Sequence, residues 1–285
     1  MELGNQRESR NIEDRRGQRG GIGRPVAVGG GIGTVLLIVL ALFLGLDPRA
    51  LVGSISTPAP TSQQQSLSPA EQEGQRRFVS QILATTEDAW GQIFQAGGKR
   101  YQPPNLVLYS GVTQSGCGVA QAATGPFYCP ADQKVYLDTA FFRDMERKLG
   151  APGEFARAYV ISHEIGHHVQ NQLGILQQVE RARRGMSEAE SNQFQVRVEL
   201  QADCFAGVWA AITHRNRPML DERDIEQGLN AAAAVGDDRL QRRSQGVVVP
   251  ESFTHGTSAQ RVRWFRVGLE SGDIRRCDTF NAERV

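Results

Sequence analysis

The sequence lacks a surplus of either charge. Its 285 residues hold 32 Lys and Arg against 31 Asp and Glu, a net charge of +1. That balance argues against a dedicated nucleic-acid binder, which would be markedly basic. It also lacks the composition of a disordered chain, with 40% hydrophobic and only 22% charged residues. No internal repeat is visible, which excludes a solenoid or array. Cysteine is scarce, with 4 in all. The first is Cys117, and no Cys-x-x-Cys pair occurs, so a cysteine-built metal knuckle is excluded.

Charge is also missing locally. From Val26 to Leu46 there is no charged residue and Thr34 is the only hydroxyl. As a helix this run would span about 31 Å, the thickness of a bilayer's hydrocarbon core. A soluble core helix rarely lacks a polar face over such a length, and no small-x-small cleavage site follows. We therefore expect an uncleaved transmembrane helix at 25–46. Arg7, Arg10, Arg15, Arg16, Arg19 and Arg24 precede it, and Arg49 is the only nearby arginine after it. The positive-inside rule then puts the N-terminus in the cytoplasm and the rest outside, periplasmic or extracellular. Residues 1–24 have little apolar content beyond Ile12 and Ile22 and read as a disordered cytoplasmic tail. Residues 47–70, rich in Ser, Thr, Pro and Gln, read as a flexible linker.

All four cysteines lie beyond the span, and an even number in an exported domain suggests two disulfides. Three pairings are possible. Cys117–Cys129 closes a short loop with Gly116, Gly118, Gly125 and Pro126, which favours it, and leaves Cys204–Cys277.

Residues 71–285 read as one α+β domain, mainly helical with a small sheet. Phe78, Val79, Ile82, Leu83, Ala89, Trp90, Ile93 and Phe94 mark an amphipathic helix over 71–95. Residues 106–109 and 134–137 read as strands. Asp138 caps a helix over 139–149, and further helices are expected over 154–173, 191–214, 221–235 and 257–270, with 180–190 a loop or solvated helix.

The chemistry is concentrated on the helix at 154–173, which carries Ser162-His163-Glu164-Ile165-Gly166-His167-His168. In H-E-x-x-H, histidines at i and i+4 share a helix face and can ligate one zinc ion, while Glu164 reaches the water at the metal. Gly166 permits close packing against a neighbour. A catalytic zinc needs a third protein ligand. The extended motif with a third histidine is excluded, because Gln170 and Leu173 stand at its Gly and His positions. The later helix supplies Glu199 and Asp203 at i and i+4, beside the small residues Ala202, Ala206 and Ala210. Two carboxylates inside an apolar helix need a positive partner. Glu199 is assigned as third metal ligand. Asp203 is assigned as the acceptor that fixes a ligand imidazole.

These segments resemble the gluzincin arrangement of zinc metallopeptidases. More narrowly, they resemble a bacterial family of predicted membrane-anchored neutral zinc metallopeptidases. The resemblance rests on the arginine-rich start and single span, SGCG, GPFYCPADQKVYLD, SHEIGHHVQNQLG, ELQADCFAGVW and SFTHGTSAQRVRWF. It covers nearly the whole chain without departure at the metal motifs. It implies a zincin-like fold, a bound Zn2+ and peptide hydrolysis. Envelope zincins with a similar Thr-His…Arg segment place such a histidine near the metal, which points to His255 as a donor to the developing oxyanion or as an inhibitory fourth ligand. The strand at 134–137 is the expected edge for an added substrate strand. Tyr159, His168 and His214 read as packing or surface residues.

The expected partners are a peptide or protein substrate and the membrane, with no nucleic acid; oligomeric state is not fixed. The expected function is a membrane-anchored zinc metallopeptidase with Glu164 as general base. The alternatives are a zinc-binding envelope scaffold without hydrolytic activity and a structural membrane protein without metal.

Overall fold

A computed structural model describes residues 1–17, 68–121 and 125–285. The expected span at 25–46 and most of the linker at 47–70 lie outside the described residues. Among the described residues no helix is long and apolar enough to cross a membrane.

One sheet runs in the order β1-β2-β6-β5. Strand β1 (Ile12–Asp14) pairs in parallel with β2 (Asn105–Tyr109), and β2 in parallel with β6 (Lys134–Asp138). Strand β5 (Phe127–Cys129) closes the order antiparallel to β6. The apolar runs of β2 and β6 alternate between two buried faces. Leu106, Leu108, Val135 and Leu137 join the main core. Val107, Tyr109, Tyr136 and Cys129 face the other way, under a hairpin of β3 (Val112–Ser115) and β4 (Gly118–Gln121). A disulfide between Cys117 and Cys129 ties that hairpin to β5.

The helices are α1 (Pro69–Ala96), α2 (Phe141–Asp144, continued as a π turn over Met145–Leu149), α3 (Glu154–Gln172) and α4 (Ile175–Arg183). Then come α5 (Glu188–Asn216), α6 (Glu222–Ala234), α7 (Asp237–Gln245) and α8 (Ser258–Ser271). Helix α5 starts at a capping box formed by Ser187 and Glu190. Asp138 is not the cap of α2; it ends β6 and accepts the Gly111 and Ala140 amides. Residues 180–190 are mostly helical, split between α4 and α5.

Helix α3 is buried along nearly its whole length, from Phe155 to Gln170. It packs against α5, where a Cβ on Gly166 would press on the Ala202 carbonyl oxygen at 3.0 Å. Helices α5 and α8 cross more closely still. A Cβ on Gly268 would overlap the Cys204 carbonyl, and one on Gly207 the Phe265 carbonyl. This backbone contact sets the second half of α8 against the middle of α5. The Cys204–Cys277 disulfide then binds the C-terminal segment to α5.

The expectation of a disordered tail at 1–24 is corrected over residues 1–17. These belong to the same compact unit as residues 74–285. Met1, Leu3 and Ile12 pack on the core, and the polar groups that suggested disorder have specific partners on α1. Glu87 accepts from Ser9 Oγ and from Asn11 Nδ2 (2.8 Å) and pairs with Arg7 at 2.9 Å. Ser9 and Ser80 exchange hydrogen bonds of 3.1 and 3.0 Å. Strands cannot pair through a bilayer, so the division into a cytoplasmic tail and an outer domain is also corrected: residues 1–17 share a compartment with the domain.

Glu87 is nearly buried and Asp88, which also meets Arg7, is half exposed. Glu87→Ala strands three donors and should cost about 2 kcal/mol of stability. Asp88→Ala should cost less than about 1 kcal/mol. Urea unfolding of both variants measures the difference, and equal losses would contradict the docking of residues 1–17.

Candidate metal centre

His163 and His167 lie one turn apart on α3, as their spacing requires, with ring centroids 4.8 Å apart and nearly perpendicular. Glu199 on α5 faces both. Its Oε2 is 3.1 Å from His163 Nε2 and 3.4 Å from His167 Nε2. One ligand atom from each of these three residues lies within 4.8 Å of the others. The donor set, two imidazoles and a carboxylate, suits a zinc ion with an open position.

Each of the three has its own partner behind it. His163 Nδ1 is 2.8 Å from Asp203 Oδ1. Asp203 is fully buried and also accepts from Arg261 Nε at 2.8 Å, from Arg261 Nη2 at 2.9 Å and from the Tyr159 hydroxyl. Surrounded by donors, it is ionised, so His163 Nδ1 carries a proton and Nε2 faces the centre. His167 Nδ1 meets Gln170 Oε1 at 2.9 Å. Glu199 Oε1 accepts from Gln195 Nε2 at 2.9 Å, and Gln195 is held in turn by Arg183 Nη1 at 3.0 Å.

Electrostatics follow this arrangement. Burial works against the charged imidazole of His163, but Asp203 and Glu199 carry its pKa up to about 9. Burial opposes the ionised Asp203 as well, yet Arg261 and His163 hold its pKa down at about 2. Glu199 is buried too, and the two imidazoles keep its carboxyl well below the usual range. For Glu164 burial outweighs the two imidazoles, and its pKa is pushed up.

A cleft of about 900 Å³ opens over the centre, lined by His163, Glu164, His167, Glu199, His255 and residues of β5. His255 sits at its wall, outside the three-residue group. Its loop is wrapped on the Asp237 carboxylate. Oδ2 accepts the amides of Thr254, His255 and Gly256 at 2.8, 2.6 and 3.0 Å, and Oδ1 meets His255 Nδ1 at 3.2 Å.

Three readings of the sequence are corrected. Residues 134–137 are not an edge; β6 lies between β2 and β5, and β5 is the strand beside the cleft. Tyr159 is not only packing, since it touches Asp203 and Arg261. His168 is a tether rather than filler. Its Nε2 lies 2.7 Å from the Gln102 carbonyl and its Nδ1 3.1 Å from the Tyr128 hydroxyl on β5, and burial lowers its pKa to about 4. His214 is exposed, as expected. Sequence reasoning missed Gln170, Gln195 and Asp237. The first two stand at i+3 and i−4 from a ligand, a spacing that could have flagged them.

His-Glu-x-x-His on one helix and a glutamate facing it from a later helix make a group that could hold a metal ion. The family model described as "Putative neutral zinc metallopeptidase" matches residues 1–280, and the chain belongs to that family. The chain is 52% identical over 280 residues to "Uncharacterized protein YpfJ" of Escherichia coli (strain K12), covering 96% of each. It is 40% identical over 259 residues to "Uncharacterized protein Rv2575" of Mycobacterium tuberculosis (strain ATCC 25618 / H37Rv), covering 85% of each. No solved structure matches the chain.

Metal ligation needs the His163 Nε2 lone pair, and the raised pKa means His163 holds two protons at pH 7 in the metal-free protein. Zinc uptake at pH 7 should therefore release protons, and apparent affinity should rise with pH up to about 9. Calorimetry in buffers of different ionisation enthalpy measures the release; a buffer-independent heat would contradict it.

Proposed function

We propose that this protein is a zinc-dependent peptidase that hydrolyses peptide bonds in the cleft over His163, His167 and Glu199. The observation that carries the reading is Glu164. Its carboxyl is buried at the cleft beside the three ligand residues, and no other described residue is hydrogen-bonded to it. A metal-holding scaffold has no need of such a group.

Zinc held by this set supplies Lewis acidity, lowering the pKa of water to about 7 and polarising a carbonyl. The protein's own groups do the rest. Glu164 takes the proton of the attacking water and delivers it to the leaving amine, and burial, by raising its pKa, favours its accepting that proton. His255, held by Asp237, donates to the developing oxyanion from the cleft wall. Strand β5 ends the sheet beside the cleft, so the substrate is an extended segment of peptide added as a strand. Two disulfides, with no free cysteine, support an oxidising compartment for the domain.

Glu164→Gln should keep one equivalent of zinc and lose casein cleavage by at least about a hundredfold. Glu199→Ala should lose zinc itself. Metal analysis with a cleavage assay separates the cases, and full activity in Glu164→Gln would overturn this mechanism.

A further inference from the structure

Gln170 and Gln201 are both buried, neither lines the cleft, and neither belongs to the three-residue centre. We propose that they are positioning residues that fix the tautomer of His167, by passing the polarity of two backbone carbonyls, those of Cys277 and Val198, to the imidazole. The proposal rests on the metal reading given above.

The chain of bonds starts at the Cys277 carbonyl, which can only accept. Gln201 Nε2 donates to it at 2.9 Å. That fixes the orientation of the Gln201 amide, so its Oε1 must face the other way. Gln170 Nε2 donates to this Oε1 at 3.0 Å, and to the Val198 carbonyl at 2.8 Å. Both contacts fix the Gln170 amide in turn. Its Oε1 is left facing His167 Nδ1 at 2.9 Å. An amide oxygen only accepts, so His167 must carry its proton on Nδ1. The Nε2 lone pair is then the one presented beside Glu199.

The two histidines are thus set by different physics. His163 is set by an anion, Asp203, paired with Arg261. His167 is set by a neutral amide, whose orientation carries the information. Reversing the Gln170 amide would present its NH2 to Nδ1. The proton would move to Nε2, and His167 would have no lone pair for a metal. Reversal is opposed because it would place Gln170 Oε1 against two acceptors. The Cys204–Cys277 disulfide seats the carbonyl that begins the chain against α5. In this reading the C-terminal segment, remote in sequence, belongs to the metal site.

The test uses the full chain with Gln170→Met, Gln201→Met and the double variant, because Met keeps the length and shape of Gln without its polar atoms. Zinc affinity is measured by chelator competition. The His167 Nδ1–H resonance is followed by NMR in the zinc-loaded protein. Gln170→Met should weaken zinc binding by about 10- to 100-fold and expose that proton to exchange. Gln201→Met should act in the same direction although it touches no ligand. The double variant should be no weaker than Gln170→Met within a factor of about three, as expected for one chain of coupled groups. Wild-type affinity and a protected proton in Gln201→Met would overturn the proposal, as would independent, multiplying losses. Less than half an equivalent of zinc on the wild-type protein would overturn the metal reading itself. Tight binding by the wild type and all variants would overturn only the relay.

Discussion

The Asp203 carboxylate is the constraint on which the site depends. It is fully buried on α5, yet it meets His163 and Tyr159 from α3 and Arg261 from α8. A lone buried carboxylate would be very costly, and a buried ion pair often does no more than offset its own desolvation. Here each Asp203 oxygen has a donor, and those donors come from separate helices. The three helices must therefore sit in one arrangement for the charge to be tolerated. The glycine contact between α5 and α8 makes that arrangement reachable, since any side chain at Gly268 would hold Arg261 away.

Around this fixed point the three candidate ligands are each held by a partner. His163, His167 and Glu199 each present one atom inward, because the other atom of the imidazole or carboxylate is already engaged by Asp203, Gln170 or Gln195. Glu164 stands apart as a carboxyl without such an anchor, in the same cleft. The β5 edge is steadied from outside the cleft, by the Cys117–Cys129 disulfide at one point and by the Tyr128–His168 contact at another.

The clustering of His163, His167 and Glu199 could be read from the sequence because its geometry is local. Positions i and i+4 of a helix share a face whatever the fold, which placed His163 with His167 and Glu199 with Asp203. The mainly helical architecture and both disulfide pairings were legible for similar reasons of periodicity and loop length. Edge status was not, because it depends on which strands meet; β5 is short and carries no alternation long enough to mark it. Nor were the glutamines, since an uncharged amide gives no signal until its neighbours are known. Residues 1–17 misled in a different way. Arg7, Ser9 and Asn11 resemble a solvated tail in composition, but their partners Glu87 and Ser80 lie far along the chain.

That docked segment has a consequence for the order of assembly. Ile12 pairs with Leu106, and Ser9 with Ser80, so residues 9–12 have nothing to join until α1 and β2 have been made. Closing so long a loop is slow, and parallel pairing gives no local hairpin to start it. These residues are therefore made well before they can be seated. An arginine-rich, polar composition fits that wait, because water can satisfy those groups in the interval while an apolar strand would invite aggregation.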